Sequence, residues 1–306
     1  MVKDKNLEIE WKKKIISDLG LEKYNDLFST TNEKIIISPY YTNIDNSLIN
    51  PDKLLFPSKW EIIKEIDCNK SIDLTKEIKD LSKNGIINII LQNYNKEELN
   101  PSVTKGLNIY IKTNSINKVY LNHIKKSQII FEHNLDVIDT IKINEFKGKL
   151  YSLNISSEFI KNSGSNIVQE IAFILSAANE YINEYGTKLI DKISFEVIQG
   201  TDYFLEIAKI QAIRILWSLI TKEYGKQIDN CVITAKPSIR NKTTKNYNNN
   251  IIRSTSECMS GILGGCNFIK SIPYDIKFKD QNPFSDRIMN NQLLILKNET
   301  SIDKVN

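Results

Sequence analysis

The stretch Ile193-Ser194-Phe195-Glu196-Val197-Ile198-Gln199-Gly200-Thr201-Asp202-Tyr203-Phe204-Leu205-Glu206-Ile207-Ala208-Lys209 decides the fold. It opens with an apolar, β-branched run over 193–198 that ends in a polar turn, the signature of a strand. A helical period then takes over across 202–224. Phe204, Ile207, Ala208, Ile215, Leu216 and Leu219 are predicted to form one apolar stripe, with Glu206, Lys209 and Lys222 facing elsewhere. Strand, short turn and long helix make one βα unit.

The same alternation runs outward in both directions from Trp60 to the end of the chain. Strands are predicted near 61–67, 86–92, 107–112, 128–132, 149–155, 193–198, 230–235 and 267–271. Helices follow near 73–83, 95–104, 115–125, 135–142, 166–184, 202–224, 246–263 and 283–298. The helix from Asn166 is predicted to bury Val168, Ile171, Ala172, Leu175 and Ala178. Strands such as Ile87-Asn88-Ile89-Ile90-Leu91 are apolar on both faces, as a parallel sheet covered by helices requires. Eight such units predict an α/β fold of the closed (β/α)8 TIM-barrel type over residues 58–300. The alternative is a seven-unit open sheet. Residues 1–57 read as an N-terminal extended and helical arm. Leu7, Ile9, Trp11, Ile15, Ile16 and Leu19 suggest an amphipathic helix, and Ile35-Ile36-Ile37-Ser38-Pro39-Tyr40-Tyr41 follows it. The arm is too small to hold a core alone and is expected to lie on the barrel. Residues 301–306 form a tail.

Composition narrows the function. The 306 residues are 41% apolar and 25% charged, which suits a soluble globular chain. Net charge is +4, with 41 Lys and Arg interleaved among 37 Asp and Glu. That distribution offers no basic stripe for nucleic acid. No apolar run reaches the roughly 18–20 residues of a membrane span, and the polar start Met1-Val2-Lys3-Asp4 lacks a signal core. Cys68, Cys231, Cys258 and Cys266 form no CxxC pair, and His123 and His133 are the only histidines, so no zinc site is expected. The setting these features imply is reduced and cytoplasmic.

In a barrel of this kind chemistry sits on the loops after the strands. After the fifth strand comes Ser156-Ser157-Glu158-Phe159, after the sixth Gln199-Gly200-Thr201-Asp202, and after the eighth Pro273-Tyr274-Asp275. Glu158 is a candidate general base. Asp202 is expected to cap the long helix. Glu158, Asp202 and Asp275 are a candidate set of oxygen ligands for a metal, although their spacing lends no specific support. After the seventh strand, Lys236, Arg240, Lys242 and Lys245 cluster where barrels often hold phosphate, so Lys236, Arg240 and Lys242 are the candidate contacts for the phosphates of coenzyme A. A charged loop in a Lys-rich protein is the plainer reading. Gly264-Gly265 reads as a turn before the eighth strand.

The second half also carries a family pattern. Asn162-Ser163-Gly164-Ser165-Asn166-Ile167-Val168-Gln169-Glu170-Ile171-Ala172 and Ala177-Ala178-Asn179-Glu180-Tyr181 come first. The helix Phe204 to Trp217 then resembles the F-x-E-I/V-A-K-x-x-A-x-R-x-L-W/F helix of acyl-CoA mutases. Asn249-Asn250-Ile251-Ile252-Arg253-Ser254 and Asp286-Arg287-Ile288-Met289-Asn290-Asn291-Gln292-Leu293 resemble two later segments of the same family. The chain is thereby similar to methylmalonyl-CoA mutases, and Arg240-Asn241-Lys242-Thr243, Leu293 to Glu299 and the tail Asp303-Lys304-Val305-Asn306 resemble the small, non-catalytic subunit of the heterodimeric enzymes.

What the resemblance implies about function lies in the departures. Catalytic chains carry G-Y-H-x-x-x-x-G-A after the fifth strand. With Gly164 on the second glycine, the family Tyr and His positions are Glu158 and Phe159, and Ser157 stands at the first glycine. The position of the arginine that binds the substrate carboxylate is Val232. No D-x-H-x-x-G cobalamin motif occurs, and the chain ends shortly after the eighth helix, without the family's cobalamin domain. The resemblance therefore implies a chain inactive alone, with no catalytic residues and no cofactor of its own. Adenosylcobalamin and the isomerisation of methylmalonyl-CoA to succinyl-CoA would belong to a large catalytic partner subunit in a heterodimer. An acyl-CoA-binding barrel with a regulatory role is the alternative.

Overall fold

A computed structural model describes residues 2–41, 57, 59–71, 73–94, 101–113, 128–132, 151–226, 228, 230–280 and 282–304. The chain begins with helix α1 (Val2–Leu19), the short α2 (Leu21–Asn25) and a small antiparallel pair, β1 (Ser29–Thr30) and β2 (Ile36–Ile37). Trp11 stacks on Tyr40 with ring centroids 4.9 Å apart, and Tyr24 is buried beside Trp11 and Phe28. Much of the rest of this segment's apolar surface, including Leu7, Ile9, Ile35 and Ile36, stays exposed. Among the described residues it meets the barrel through Glu33. Glu33 Oε1 accepts from the Ile167 backbone N–H at 3.3 Å.

Eight parallel strands follow: β3 (Glu61–Asp67), β4 (Asn88–Gln92), β5 (Asn108–Thr113), β6 (Gln128–Glu132), β7 (Tyr151–Ser156), β8 (Ile193–Gln199), β9 (Val232–Pro237) and β10 (Phe268–Ile269). Each pairs with the next, and β10 pairs with both β9 and β3, which closes the ring. The described helices on the outside are α3 (Leu74–Lys83), α4 (Pro101–Thr104), α5 (Glu158–Asn162), α6 (Ile167–Tyr185), α7 (Tyr203–Glu223), α8 (Asn249–Leu263) and α9 (Pro283–Asn298). The helices expected at 115–125 and 135–142 lie outside the described residues, as do His123 and His133. So the α/β alternation and the curled parallel sheet read from the sequence are present.

Helix ends follow local chemistry. Asn166 and Gln169 form a reciprocal capping box at the start of α6. Asn282 caps α9 through the Ser285 N–H, with Pro283 in the first turn. Asp73 caps α3 through Lys76 N–H. Asp202 occupies the N-cap position of α7, but its side chain makes no cap hydrogen bond.

The predicted apolar stripe of the long helix is wrong. Phe204 is 78% exposed and Leu219 55% exposed, while Glu206, Lys209, Ile210, Ile213, Arg214, Trp217 and Thr221 face the sheet. The reason is that α7 is apolar on more than one side, so periodicity does not single out the inner face. Buried carboxylates then draw Lys209 inward. The α6 stripe is rotated in the same sense: Leu175 and Ala178 are buried as predicted, but Val168 and Ala172 are exposed and Glu170 is buried.

The layer between the sheet and its helices is packed with Ile78, Ile89, Leu91, Ile155, Ile174, Ile210, Ile213 and Trp217. Gly261 lets α8 approach β9 and β10, since a Cβ there would fall 2.8 Å from the Ala235 Cβ. Cys231, Cys258 and Cys266 are free thiols buried in this layer, and burial pushes the Cys231 thiol up to about 11. Inside the ring the lining is polar. Asn88 and Asn108 are hydrogen-bonded at 2.8 Å, and Ser152, Asn154 and Ser194 form a second group. Barrels of this type more often fill their centre with branched apolar side chains.

Candidate functional site

Residues two apart on a strand point to the same face. Glu65, Lys112, Glu196, Lys236 and Lys270 follow this parity into the ring near the C-terminal strand ends. Lys112 Nζ lies 3.1 Å from Glu65 Oε1, across the intervening β4, and Gln92 donates to the same oxygen. Lys270 bridges Glu65, at 3.3 Å, and Glu196, at 2.5 Å, across the intervening β9. Ser156 Oγ donates to Glu196 Oε1 at 3.1 Å. Nearer the other end, Tyr110 and Phe268 meet edge to face with centroids 6.4 Å apart. Near the C-terminal strand ends the barrel interior is therefore crossed by side chains bonded to one another.

Electrostatics keep this network ionised. Burial pushes the Glu65 and Glu196 carboxyls upward, but Lys270 and the neighbouring Lys112 and Lys236 outweigh it, and both stay below the ordinary carboxylate range. Burial lowers Lys270, and its two carboxylate partners raise it above the ordinary lysine value. A proton acceptor held in this way is a poor general base, because its proton affinity has been spent on the ion pair.

The predicted site residues fall around this network. Glu158, the candidate base, begins α5, and both its oxygens accept from Lys236 Nζ at 2.9 Å. Phe159 beside it is 77% exposed and offers only hydrocarbon. Val232 sits at the opposite, N-terminal end of β9 and is partly exposed. Asp275 is buried and accepts from Asn282 Nδ2 at 3.0 Å, while Asp202 is exposed. Among the described residues no group of three His, Cys, Asp or Glu side chains is arranged to hold a metal, so Glu158, Asp202 and Asp275 are not brought together.

The cationic loop after β9 is likewise dispersed. Lys236 faces Glu158. Lys242 is buried and paired with Glu257, which Asn241 also touches. Arg240 lies over Gly164, where φ is +106° and a Cβ would stand 3.6 Å from its guanidinium. Lys245 is exposed. Asn250 bonds Thr243 and the Tyr274 carbonyl, so the loop is tied to α8 and to the segment after β10. The expectation that Lys242 belongs to a free phosphate-binding cluster is corrected on this point: its ammonium is turned into the protein toward a carboxylate. Burial lowers Lys242 and raises Glu257 to about 7, each partly offset by the other.

A second ionic cluster lies behind β7 and β8, and sequence reasoning missed it. Lys209 Nζ contacts Glu170 Oε2 at 3.1 Å and pairs with Glu206, and it donates to the Ile198 carbonyl at 2.6 Å. Lys161 lies 3.1 Å from Glu170 and 3.3 Å from Glu206. Ser157 Oγ donates to Glu170 at 2.6 Å and accepts from the Ile198 N–H. Gly200 leaves room for this carboxylate, because a Cβ would come within 2.6 Å of Glu206 Oε1 and displace it. Burial raises Glu170, but Lys209, Lys161 and Ser157 together hold it below its ordinary value. Arg214, one turn beyond, reaches the Cys231 and Gly265 carbonyls, Asn230 and Asn267, and so clamps the entries to β9 and β10. The polar residues of the motif read from Phe204 to Trp217 are thus structural. Charged residues recurring within apolar runs, as Glu65 and Glu196 do, were the available signal for the inner network.

Among the described residues, no helix is long and apolar enough to cross a membrane. A profile of the methylmalonyl-CoA mutase family matches residues 108–305, which include β5 to β10 and both ionic systems apart from Glu65. The small subunit of the Porphyromonas gingivalis methylmalonyl-CoA mutase is 34% identical over 163 residues, 50% of this chain and 26% of that one. The Rhizobium meliloti mutase is 31% identical over 169 residues, 51% of this chain and 23% of the relative. The large subunit from P. gingivalis is 29% identical over 108 residues, 34% of this chain and 15% of the relative. The matches span about a quarter or less of these relatives' length. With well over half of its residues matched by the family profile, this chain belongs to the methylmalonyl-CoA mutase family.

Proposed function

We propose that this chain is a small, non-catalytic subunit of a heterodimeric methylmalonyl-CoA mutase, built as a (β/α)8 barrel of the acyl-CoA mutase type with an N-terminal arm. The isomerisation of methylmalonyl-CoA and succinyl-CoA is the work of a large partner subunit, which holds the adenosylcobalamin. One observation carries the reading. Where an active barrel would present free acids and bases, Glu158 is locked to Lys236, and Glu65 and Glu196 are neutralised by Lys270 and Lys112. Likeness to a small subunit supports it. A cytoplasmic setting, without membrane or nucleic-acid partners, fits the charge distribution and cysteine usage.

The residues at the barrel mouth do not fit a cobalamin. Phe159 offers no donor atom, and the Glu158 and Lys236 charges are already committed to each other. No catalytic step is therefore assigned to this chain. The acyl-CoA-binding alternative is weakened by Lys242, which is turned inward to Glu257 and removed from any phosphate.

The test is size-exclusion chromatography of this chain alone and mixed with a large mutase subunit, with mutase activity assayed across the peaks in the presence of adenosylcobalamin. The expected result is co-elution, with activity only in fractions that hold the large subunit. Turnover of methylmalonyl-CoA by this chain alone, or failure to associate, would overturn the proposal.

A further inference from the structure

We propose that the rim around the N-terminal ends of α8 and α9, with Tyr247 and Phe278 at its centre, is a docking surface for an acidic segment of a partner protein. The inference does not rest on the subunit reading. It starts from charge. Lysines and arginines are interleaved with acids over the chain as a whole, but residues 240–298 hold nine of them against four Asp and Glu. That is a net of +5 in a chain whose total is +4. Some of these charges are matched inside the fold. Lys242 is paired with Glu257, Lys297 with Glu61, and Asp286 with Lys64. Lys270, together with Lys112, is matched by Glu65 and Glu196. Six cations remain, Arg240, Lys245, Arg253, Lys277, Lys279 and Arg287, and all are exposed. Among the described residues none of them is paired with a carboxylate. The acids left against them are Asp280 and the buried Asp275. Asp67 and Lys70, which share a cleft with Lys279, cancel each other. All six cations lie in the loops after β9 and β10 or in the first two turns of α8 and α9. The helix N-termini add partial positive charge to the same side.

Packing joins these segments into one face. Tyr247 stacks on Tyr274 with centroids 5.9 Å apart and leans against Phe278 at 4.9 Å. Asn250 ties the Tyr274 carbonyl to α8, and Gln292 of α9 donates to the Ile251 carbonyl. Tyr247 and Phe278 still keep 37% and 40% of their surface, flanked by Lys245 and by Lys277 and Lys279. An exposed aromatic pair ringed by unpaired cations is the complement of a segment that carries carboxylates beside apolar side chains. A second copy of the same face does not fit, because cation would meet cation. A bilayer fits poorly as well. Asn246, Asn248 and Asn249, exposed beside Tyr247, would lose their water to hydrocarbon, whereas a peptide backbone can bond them. A nucleobase finds no open stacking platform, since two rings engage Tyr247 and Lys279 lies 6.0 Å over Phe278.

The experiment is fluorescence anisotropy of labelled peptides titrated with the full chain at low ionic strength. The probe is a peptide of repeated Glu-Leu-Asp, and its uncharged counterpart repeats Gln-Leu-Asn. Saturable binding of the acidic peptide is expected, with the uncharged one at least about tenfold weaker. Lys245→Glu with Lys277→Glu and Lys279→Glu should weaken the acidic peptide by about tenfold or more, and Phe278→Ala by about threefold. Lys76→Glu with Lys79→Glu and Lys188→Glu makes the same change of charge at exposed positions elsewhere on the barrel, and should leave the affinity within about twofold of wild type. Thermal melting curves confirm that each variant is folded. No saturable binding of the acidic peptide, equal binding of the uncharged one, equal losses in the two triple variants, an affinity unchanged by Phe278→Ala, or tighter binding of phosphatidylserine vesicles or a short oligothymidylate would each overturn the assignment.

Discussion

Two ionic systems stand within the same half of this barrel, one behind β7 and β8 and one at its mouth. Behind the strands, Glu170, Lys209 and Glu206 are almost wholly buried and wedge two helices against the sheet. At the mouth, Lys236 and Glu158 pair at 2.9 Å but keep 15% and 31% of their side-chain surface. The first system contains the family-like motif Glu206 to Lys209. In the second, Glu158 stands where the resemblance to catalytic mutases implies a tyrosine. On the proposed non-catalytic reading, the difference separates what a mutase barrel needs in order to fold from what it needs in order to react. Here the folding set is present, and the mouth has been given over to side chains that satisfy each other.

The comparison is broken most forcefully by removing the centre of the buried cluster. Lys209→Met leaves Glu170 and Glu206 in the interior with Lys161 as their remaining cation. Stranding a buried charge in this way costs about 3–5 kcal/mol. The midpoint of urea unfolding should fall accordingly, and adding Glu170→Gln should recover part of the loss. A loss below about 1 kcal/mol would mean that the cluster is solvated and that the motif does not act through packing.

The Lys242–Glu257 pair gives a smaller effect with a definite sign. Glu257 is raised from 4.5 to about 7 in the fold, chiefly by burial. Between those values the folded state binds more protons than the unfolded state, so stability falls as pH rises. The contribution is fully present below about pH 4.5 and is lost as pH climbs through about 7. Over that window the wild type should lose up to about 3 kcal/mol relative to Glu257→Gln. Urea unfolding of both proteins at pH 5 and pH 8 measures this. A wild type that gains on the variant as pH rises would show that Lys242, not burial, controls the carboxyl.

These residues also explain which parts of the molecule the sequence made legible. The strand positions were readable because apolar β-branched runs recur between helical periods, and β3 and β6 begin and end where that pattern places them. The faces were less readable. Phe204 and Leu219 carry the apolar character that periodicity rewards, yet they face outward, while Glu206, Lys209 and Arg214 face inward because each finds a partner only in three dimensions. The candidate site was half legible. Glu158 and Lys236 could each be named from their loops, but not their mutual bond, which joins residues 78 apart in the chain. Lys270 lies outside any motif and was visible only once β8, β10 and β3 were brought around the ring.

The smallest effect belongs to the mouth and sharpens the comparison most. Glu158→Gln removes a partly exposed ion pair, and such pairs contribute about 0–1 kcal/mol. The variant should unfold within about 1 kcal/mol of wild type, and raising the salt concentration should erase the remaining difference, because exposed charges are screened and buried ones much less so. Lys209→Met should keep its deficit at the same salt. If Glu158→Gln proved as costly as Lys209→Met, the mouth pair would belong to the folding set. Its presence would then say nothing about lost chemistry, and the case for a non-catalytic subunit would have to rest on the interior network of Glu65, Glu196 and Lys270.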